Sequence, residues 1–151
     1  MARLRDLLIV SVLLVVLSPA LLLCALAVRR SSPGPILFRQ RRLGRHGRPF
    51  YALKFRSMIH SAPDLRNPDG SAYTGDDDPR VTRVGRFLRR TSLDELPQLF
   101  NVFRGEMSLV GPRPDQVDQL CYYSETEKGK LNVKPGIPGL AQNNGRNNIS
   151  W

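Results

Sequence analysis

Three regimes of apolar and polar spacing divide the chain. The stretch from Leu7 to Val28 (LLIVSVLLVVLSPALLLCALAV) is 22 residues without one charge. It is apolar on every face, not along one stripe, and a helix of that length reaches across a hydrocarbon core of about 30 Å. Ser31 to Pro35 (SSPGP) then forms a stiff, non-helical exit. After it the pattern shortens: Ile36–Gln40 reads as a strand, GRHGRP at 44–49 as a hairpin turn, and the alternating Phe50–Phe55 as the partner strand. Ser61–Pro79, rich in proline, glycine and aspartate, reads as a long loop.

Helical spacing returns at Arg80–Arg90, where Val81, Val84, Phe87 and Leu88 recur at three and four with Gly85 as an interruption. This amphipathic stretch suits the domain core or a membrane surface. Thr91–Phe103 predicts a further helix that buries Leu93, Leu96, Leu99, Phe100 and Phe103. The fold class that follows is α+β: one small mixed domain of helices and short strands, residues 31–151, behind a membrane-embedded segment, residues 1–30.

Two features qualify the membrane segment. Its apolar run exceeds the 7–15 residues of a secretory h-region, and Asp6 stands at its start, which weighs against a cleaved signal. Pro19, preceded by Ser18, lies near its middle, where a missing N–H and a ring clash bend a helix. Arginines flank both ends, Arg3 and Arg5 before, Arg29 and Arg30 after. A spanning helix leaves one pair on the wrong side of the positive-inside rule, whereas a re-entrant helix keeps both in the cytoplasm. These observations leave a kinked span and a re-entrant helix both open.

Charge sharpens the picture. Lysine and arginine number 23 against 13 acidic residues, a formal net charge of +10. Nine of the basic residues fall between Arg29 and Arg56, with no acidic residue among them. Such a field attracts nucleic acid, anionic lipid or a phosphorylated substrate, and the adjacent lipid segment favours the last two. Two distant cysteines, Cys24 and Cys121, provide neither a disulfide framework nor a metal cluster. Asp76, Asp77 and Asp78 suit a solvated loop tip better than a metal site.

The chemistry concentrates in TSLDELPQLF and its neighbours. Ser92 and Glu95 have the spacing of a capping box, which would make Glu95 a helix-starting residue. Pro97 disturbs that helix. The adjacent carboxylates Asp94 and Glu95 follow Arg86, Arg89 and Arg90, an arrangement that suits an anionic substrate. In VGPRP, Pro112 and Pro114 stiffen a turn around Arg113, whose planar guanidinium is a multi-donor partner for phosphate oxygens. A solvated surface turn is the competing interpretation of Arg113.

The ordered blocks from Ser18-Pro19 through FRQRRLGRHGRPFYALKFRSM, RVTRVGRFLRRTSLDELPQLFNVFRGEMSLVGPRP and KPGIPGLAQNNGRNN resemble the bacterial monotopic phosphoglycosyl transferases, or bacterial sugar transferases, over almost the whole chain. The resemblance implies transfer of a sugar phosphate from a UDP-sugar to polyprenyl (undecaprenyl) phosphate with release of UMP, the first membrane step of bacterial glycan assembly. By similarity Ser18 and Pro19 kink a re-entrant helix, Asp94 is the nucleophile that forms a covalent sugar-phosphoryl intermediate, and Glu95 assists with Mg2+ as cofactor. Arg89 and Arg113, supported by Arg86 and Arg90, would bind the diphosphate, with Pro112 and Pro114 shaping the turn. The expected location is the cytoplasmic face of the bacterial inner membrane, with helices along the lipid interface and a homodimer through the soluble part.

The family pattern continues beyond the GRNN block by several tens of residues, so the catalytic domain is expected to be shortened at Trp151. That motivates a second reading, a catalytically incomplete membrane interaction module. A third, a membrane-tethered nucleic-acid-binding protein, rests on charge alone and lacks a basic recognition helix or an aromatic stacking platform. No nucleic-acid partner is expected, and the sugar is not legible.

Overall fold

The computed structural model describes residues 2–65, 73 and 77–137. Asp76, the end of the KPGIPGLA turn and the polar segment Asn143–Trp151 lie outside the described residues. The apolar N-terminus forms two helices, α1 (Ala2–Val16) and α2 (Ser18–Ser31), bent by 61° at Leu17. The bend has a local cause. Pro19 has no N–H for the Val15 carbonyl, and the Ser18 hydroxyl donates to that oxygen instead, at 2.7 Å. On either side the ladder is intact, with Leu17 N bonded to Leu13 O and Leu21 N to Leu17 O, both at 2.8 Å. No single helix among the described residues is long and apolar enough to cross a bilayer, but the bent pair is by length and composition.

A two-stranded antiparallel sheet follows, β1 (Leu37–Leu43) against β2 (Pro49–Phe55), in register from Leu37 opposite Phe55 to Leu43 opposite Pro49. β1 continues past Gln40 because Arg41, Arg42 and Leu43 keep pairing. The connection is one 3-10 turn at Arg45–Gly47, where His46 and Gly47 take positive φ of 59° and 71°. The free edge of β2 is closed by fully buried Asn101. Its amide donates to Tyr51 O at 2.8 Å and its carbonyl accepts from Leu53 N at 2.9 Å.

Past the loop, Thr82 caps α3 (Arg83–Thr91) by accepting from Gly85 N at 2.9 Å. Gly85 is an entry condition for this helix, not an interruption of it. A Cβ there would lie 1.9 Å from the Ser57 carbonyl oxygen, so only glycine lets α3 press onto the chain leaving β2. The helix expected over Thr91–Phe103 is shorter. Ser92 leaves α3 with φ 58°, Leu93–Glu95 form a 3-10 turn, and α4 runs only from Gln98 to Arg104. Starting the helix after Pro97 resets its phase. Leu99 and Val102 are buried, whereas Phe100 and Phe103 face outward.

Two apolar clusters hold the fold together. Val10 of α1 packs with Phe50, Ala52, Leu99, Val102 and Met107, and Cys24 and Val28 of α2 pack with Phe55 and Leu88. Each helix of the pair therefore seats one face on the domain, while Leu8, Val12, Val15, Leu22 and Leu23 remain exposed on the other. Both ends of the pair are tied to that same domain. Arg3 donates to Val102 O at 2.5 Å and Phe103 O at 2.7 Å, at the carbonyl end of α4, and buried Asp6 accepts from the Ser108 hydroxyl at 2.5 Å. At the exit, buried Arg56 donates to Pro33 O at 2.5 Å and Ser32 O at 2.8 Å. Arg56 is thus a structural strut, although it lies within the basic run.

Gly85→Ala is expected to lower equilibrium stability by about 1–3 kcal/mol in denaturant titration, from overpacking against Ser57. Gly129→Ala, where nothing lies within 4 Å and φ is −57°, should be neutral or stabilising. Equal effects of the two would contradict the packing described.

Candidate active site

Asp94 and Glu95 sit on the 3-10 turn, fastened by Leu93 and Leu96, which pack against the α2 cluster. With three residues per turn, neighbouring side chains diverge by about 120°, so the two carboxylates take different surroundings. Glu95 turns inward and is buried. Its Oε1 accepts from Lys54 Nζ of β2 at 2.7 Å and from Arg113 Nη2 at 3.3 Å. The expected capping box does not form: Ser92, at positive φ, makes no cap hydrogen bond, and two cations hold Glu95 instead. Boxes of that kind do form later, at Gln116–Gln119 and Ser124–Glu127.

Asp94 is half-buried on the wall of an open cleft of about 1850 Å³. Burial pushes its carboxyl above the usual aspartate range, against the pull of Lys54 and Arg89, while Glu95 adds to the rise. A carboxylate with its charge raised in energy this way is more basic than one in water.

Arg113 is held by backbone-on-backbone packing. Gly111 and Gly136 meet so closely that a Cβ on Gly136 would lie 2.0 Å from Gly111 N. Gly136 N donates to Pro112 O at 3.0 Å, and Ser108 N to Pro135 O at 2.8 Å. Pro114 O accepts from Arg42 Nη1 at 3.2 Å. Pro112 and Pro114 thus anchor the two sides of the turn that aims Arg113 at Glu95, and the solvated-turn reading is set aside. Arg42 is drawn below its ordinary pKa first by burial and then by the Arg113 charge, so two guanidinium groups share a confined space that an anion would relieve.

From α3, Arg86, Arg89 and Arg90 line the same cleft, and Arg89 Nε donates to Ser57 Oγ at 2.9 Å. The cleft therefore gathers the six charged residues that the sequence singled out for binding and catalysis, Asp94, Glu95, Arg86, Arg89, Arg90 and Arg113. Ser18 and Pro19 stand apart at the helix bend. The aspartate run has another use. Fully buried Asp78 accepts from Arg80 Nε at 2.9 Å and Nη2 at 2.7 Å, and Arg80 also donates to Pro63 O and Tyr73 O, which gathers the base of the loop. Asp77 accepts from the Tyr73 hydroxyl at 2.6 Å. Asp78 is therefore not a solvated tip, and no cluster of three or more His, Cys, Asp or Glu suited to a metal occurs among the described residues.

Sequence reasoning missed Lys54, Arg42 and a polar wall in which Tyr123 donates to Asp115 and Lys130 lies 3.7 Å from Asp115. Lys54 had a readable signal, being the one charge on an otherwise apolar strand.

A family model described as bacterial sugar transferase matches residues 1–151. The chain is 49% identical over 95% of its length to a UDP-glucose:undecaprenyl-phosphate glucose-1-phosphate transferase of Klebsiella pneumoniae, of which it covers 30%. It is 41% identical over 99% of its length to an undecaprenyl-phosphate galactose phosphotransferase of Salmonella typhimurium, covering 33% of it. An uncharacterized sugar transferase, EpsL, of Bacillus subtilis is 46% identical over 99% of the chain, and 71% of EpsL is covered. The chain thus spans about a third of the first two relatives and most of the third.

Because the Asp94 carboxyl is raised in the folded state, its ionised form costs stability above the unfolded-state pKa, and that cost fades as pH falls through the folded value. Asp94→Asn should therefore melt at a higher temperature than the wild type at pH 7–8 (about neutral conditions). The advantage should shrink under acid conditions. A variant that melts lower at neutral pH would contradict this assignment.

Proposed function

The chain belongs to the bacterial sugar transferase family, and from that premise we propose that it transfers a sugar phosphate from a UDP-sugar to undecaprenyl phosphate and releases UMP. The observation that carries the reading is the meeting of two carboxylates with arginines from two separate segments in one cleft beside an apolar helix pair. The names of the Klebsiella and Salmonella relatives point to the same acceptor, and to glucose in one and galactose in the other.

In the proposed reaction an Asp94 carboxylate oxygen attacks the sugar-bearing phosphorus. The bond from that phosphorus to the bridging oxygen breaks, and UMP leaves with the electron pair. An oxygen of the acceptor phosphate then attacks the same phosphorus and frees Asp94, giving polyprenyl diphosphate sugar. Attack of an anion on a diphosphate must overcome repulsion, and Arg89 and Arg113, with Arg86 and Arg90, supply the opposing charge. Lys54 holds Glu95 in place and favours ionised Asp94. The donor set fits Mg2+, which binds through one or two carboxylates and completes its shell with water and phosphate oxygens, so Asp94 and Glu95 would hold it. When bound, that ion supplies further charge neutralisation on the diphosphate.

The bent helix pair fits a re-entrant membrane anchor over residues 1–30. The fastening of Arg3 and Asp6 at one end and of Ser32 and Pro33 at the other to one domain supports entry and exit on the same side. The arginines at both ends favour the cytoplasmic face of the inner membrane, with residues 31–151 as the catalytic part on that face. Phe87 of α3 and Phe100 and Phe103 of α4, exposed beside arginines, suit helices lying at the interface.

The test is UMP release from UDP-sugars by detergent-solubilised protein with Mg2+ and undecaprenyl phosphate. Asp94→Asn should lower the rate by at least about 10³-fold. In Lys54→Met, loss of a charge that opposes the raised Asp94 pKa should move the acid limb of kcat/KM to higher pH. No release by folded wild-type protein from any UDP-sugar would favour a non-catalytic membrane module, and an unmoved acid limb would remove Lys54 from the account.

A further inference from the structure

The two ends of the cleft differ in character. At the end where the chain leaves α2, three large apolar side chains line it while standing open to solvent: Leu37 at 37%, Phe38 at 50% and Ile59 at 44% exposure. At the other end the wall is polar, with Gln116, Gln119, Asp115, Tyr123 and Lys130. The same gradient runs along β1, whose Leu37 and Phe38 give way to Arg39, Gln40, Arg41 and Arg42.

Register fixes how close the apolar end comes to the chemistry. Phe38 is paired directly with Lys54, so their side chains share one face of the sheet at neighbouring positions, with Cβ atoms about 5 Å apart. Lys54 in turn holds Glu95 at 2.7 Å. Phe38 is thus one cross-strand step from the Asp94–Glu95 turn. In the other direction, Ile36 packs against the cluster containing Cys24 and Val28 of α2, and Arg56 clamps the Ser32 and Pro33 carbonyls just upstream. An open apolar surface therefore joins the lipid-facing helix pair to the carboxylates.

We propose that Phe38, with Leu37 and Ile59, forms the passage along which the isoprenoid chain of a polyprenyl phosphate runs from the bilayer to the Asp94–Glu95 site. This rests on the acceptor reading above. A ligand with an apolar tail and one phosphate head matches the gradient: the tail covers Phe38 and Ile59, and the head reaches the cations near Lys54. The polar end is left to the water-soluble donor. Burying the first isoprene units against these side chains would remove apolar surface from water on both partners, which ties affinity to the chain and not only to the phosphate.

Two measurements test the passage. A polyprenyl phosphate carrying a diazirine in its head-proximal isoprene units should, on irradiation with the full detergent-solubilised chain, label residues 36–38 and 57–59, and excess undecaprenyl phosphate should suppress the label. Label confined to residues 7–28 or elsewhere would overturn the proposal. In steady-state kinetics Phe38→Ser and Ile59→Ser should each raise KM for undecaprenyl phosphate about tenfold. KM for the UDP-sugar should not move, and a comparable rise should be seen with geranyl phosphate, whose two isoprene units are the head-proximal ones. An unchanged KM for both acceptors, or an equal rise in KM for the UDP-sugar, would overturn a chain-binding role. The labelling needs no turnover, so an inactive wild type would defeat the catalytic reading while the passage is still decided.

Discussion

One oxygen of Glu95 holds the site together. Lys54 reaches it from β2 and Arg113 from the turn after α4, so a strand, a 3-10 turn and a proline-braced loop converge on a single buried acceptor. Removing one partner of a buried pair typically costs about 3–5 kcal/mol, because the charge left behind has lost its solvent. Here the arrangement also fixes neighbouring Asp94. Half-buried, opposed by Glu95 and supported by Lys54 and Arg89, it is a carboxylate made more basic by its surroundings. On the proposed reading, affinity for an anion and reactivity toward one share a structural origin, the confinement of like charges around two carboxylates.

The second constraint is that the apolar helix pair does not stand apart from the domain. α1 contributes Val10 to one core cluster, α2 contributes Cys24 and Val28 to the other, and the ends are fastened by Arg3, Asp6 and Arg56. The site is therefore held at a set height relative to the exposed apolar face. That geometry suits chemistry between a soluble donor and a lipid acceptor, since the cleft has an apolar end beside the exit from α2 and a polar end opposite.

Much of this was legible in the sequence where local rules decide the outcome. The bend at Ser18–Pro19 follows from a missing N–H, and the hairpin from alternating residues around a glycine-rich turn. The arginines, the two carboxylates and the GPRP turn were legible as a group, and Arg86, Arg89, Arg90, Asp94, Glu95 and the turn's Arg113 all line one cleft. Local rules failed where a distant group intervened. Glu95 has the spacing of a capping residue, yet Lys54 and Arg113, 41 and 18 positions away, take it. Phe100 and Phe103 fit a helical stripe only if the helix starts before Pro97. Asp78 looked like part of a solvated loop because its partner, Arg80, had been assigned to the next helix. Gly85 looked like a defect, since nothing local announces that Ser57 would lie against it.

The most direct test of the central claim, that Asp94 is the nucleophile, is mass analysis of the protein after brief incubation with a UDP-sugar and Mg2+ in the absence of any lipid acceptor. The account predicts added mass of one sugar phosphate, located on the peptide containing Asp94, with an equivalent of UMP released, and loss of that mass when undecaprenyl phosphate is added. Turnover in the full reaction without any such adduct, or with the adduct on another residue, would contradict it.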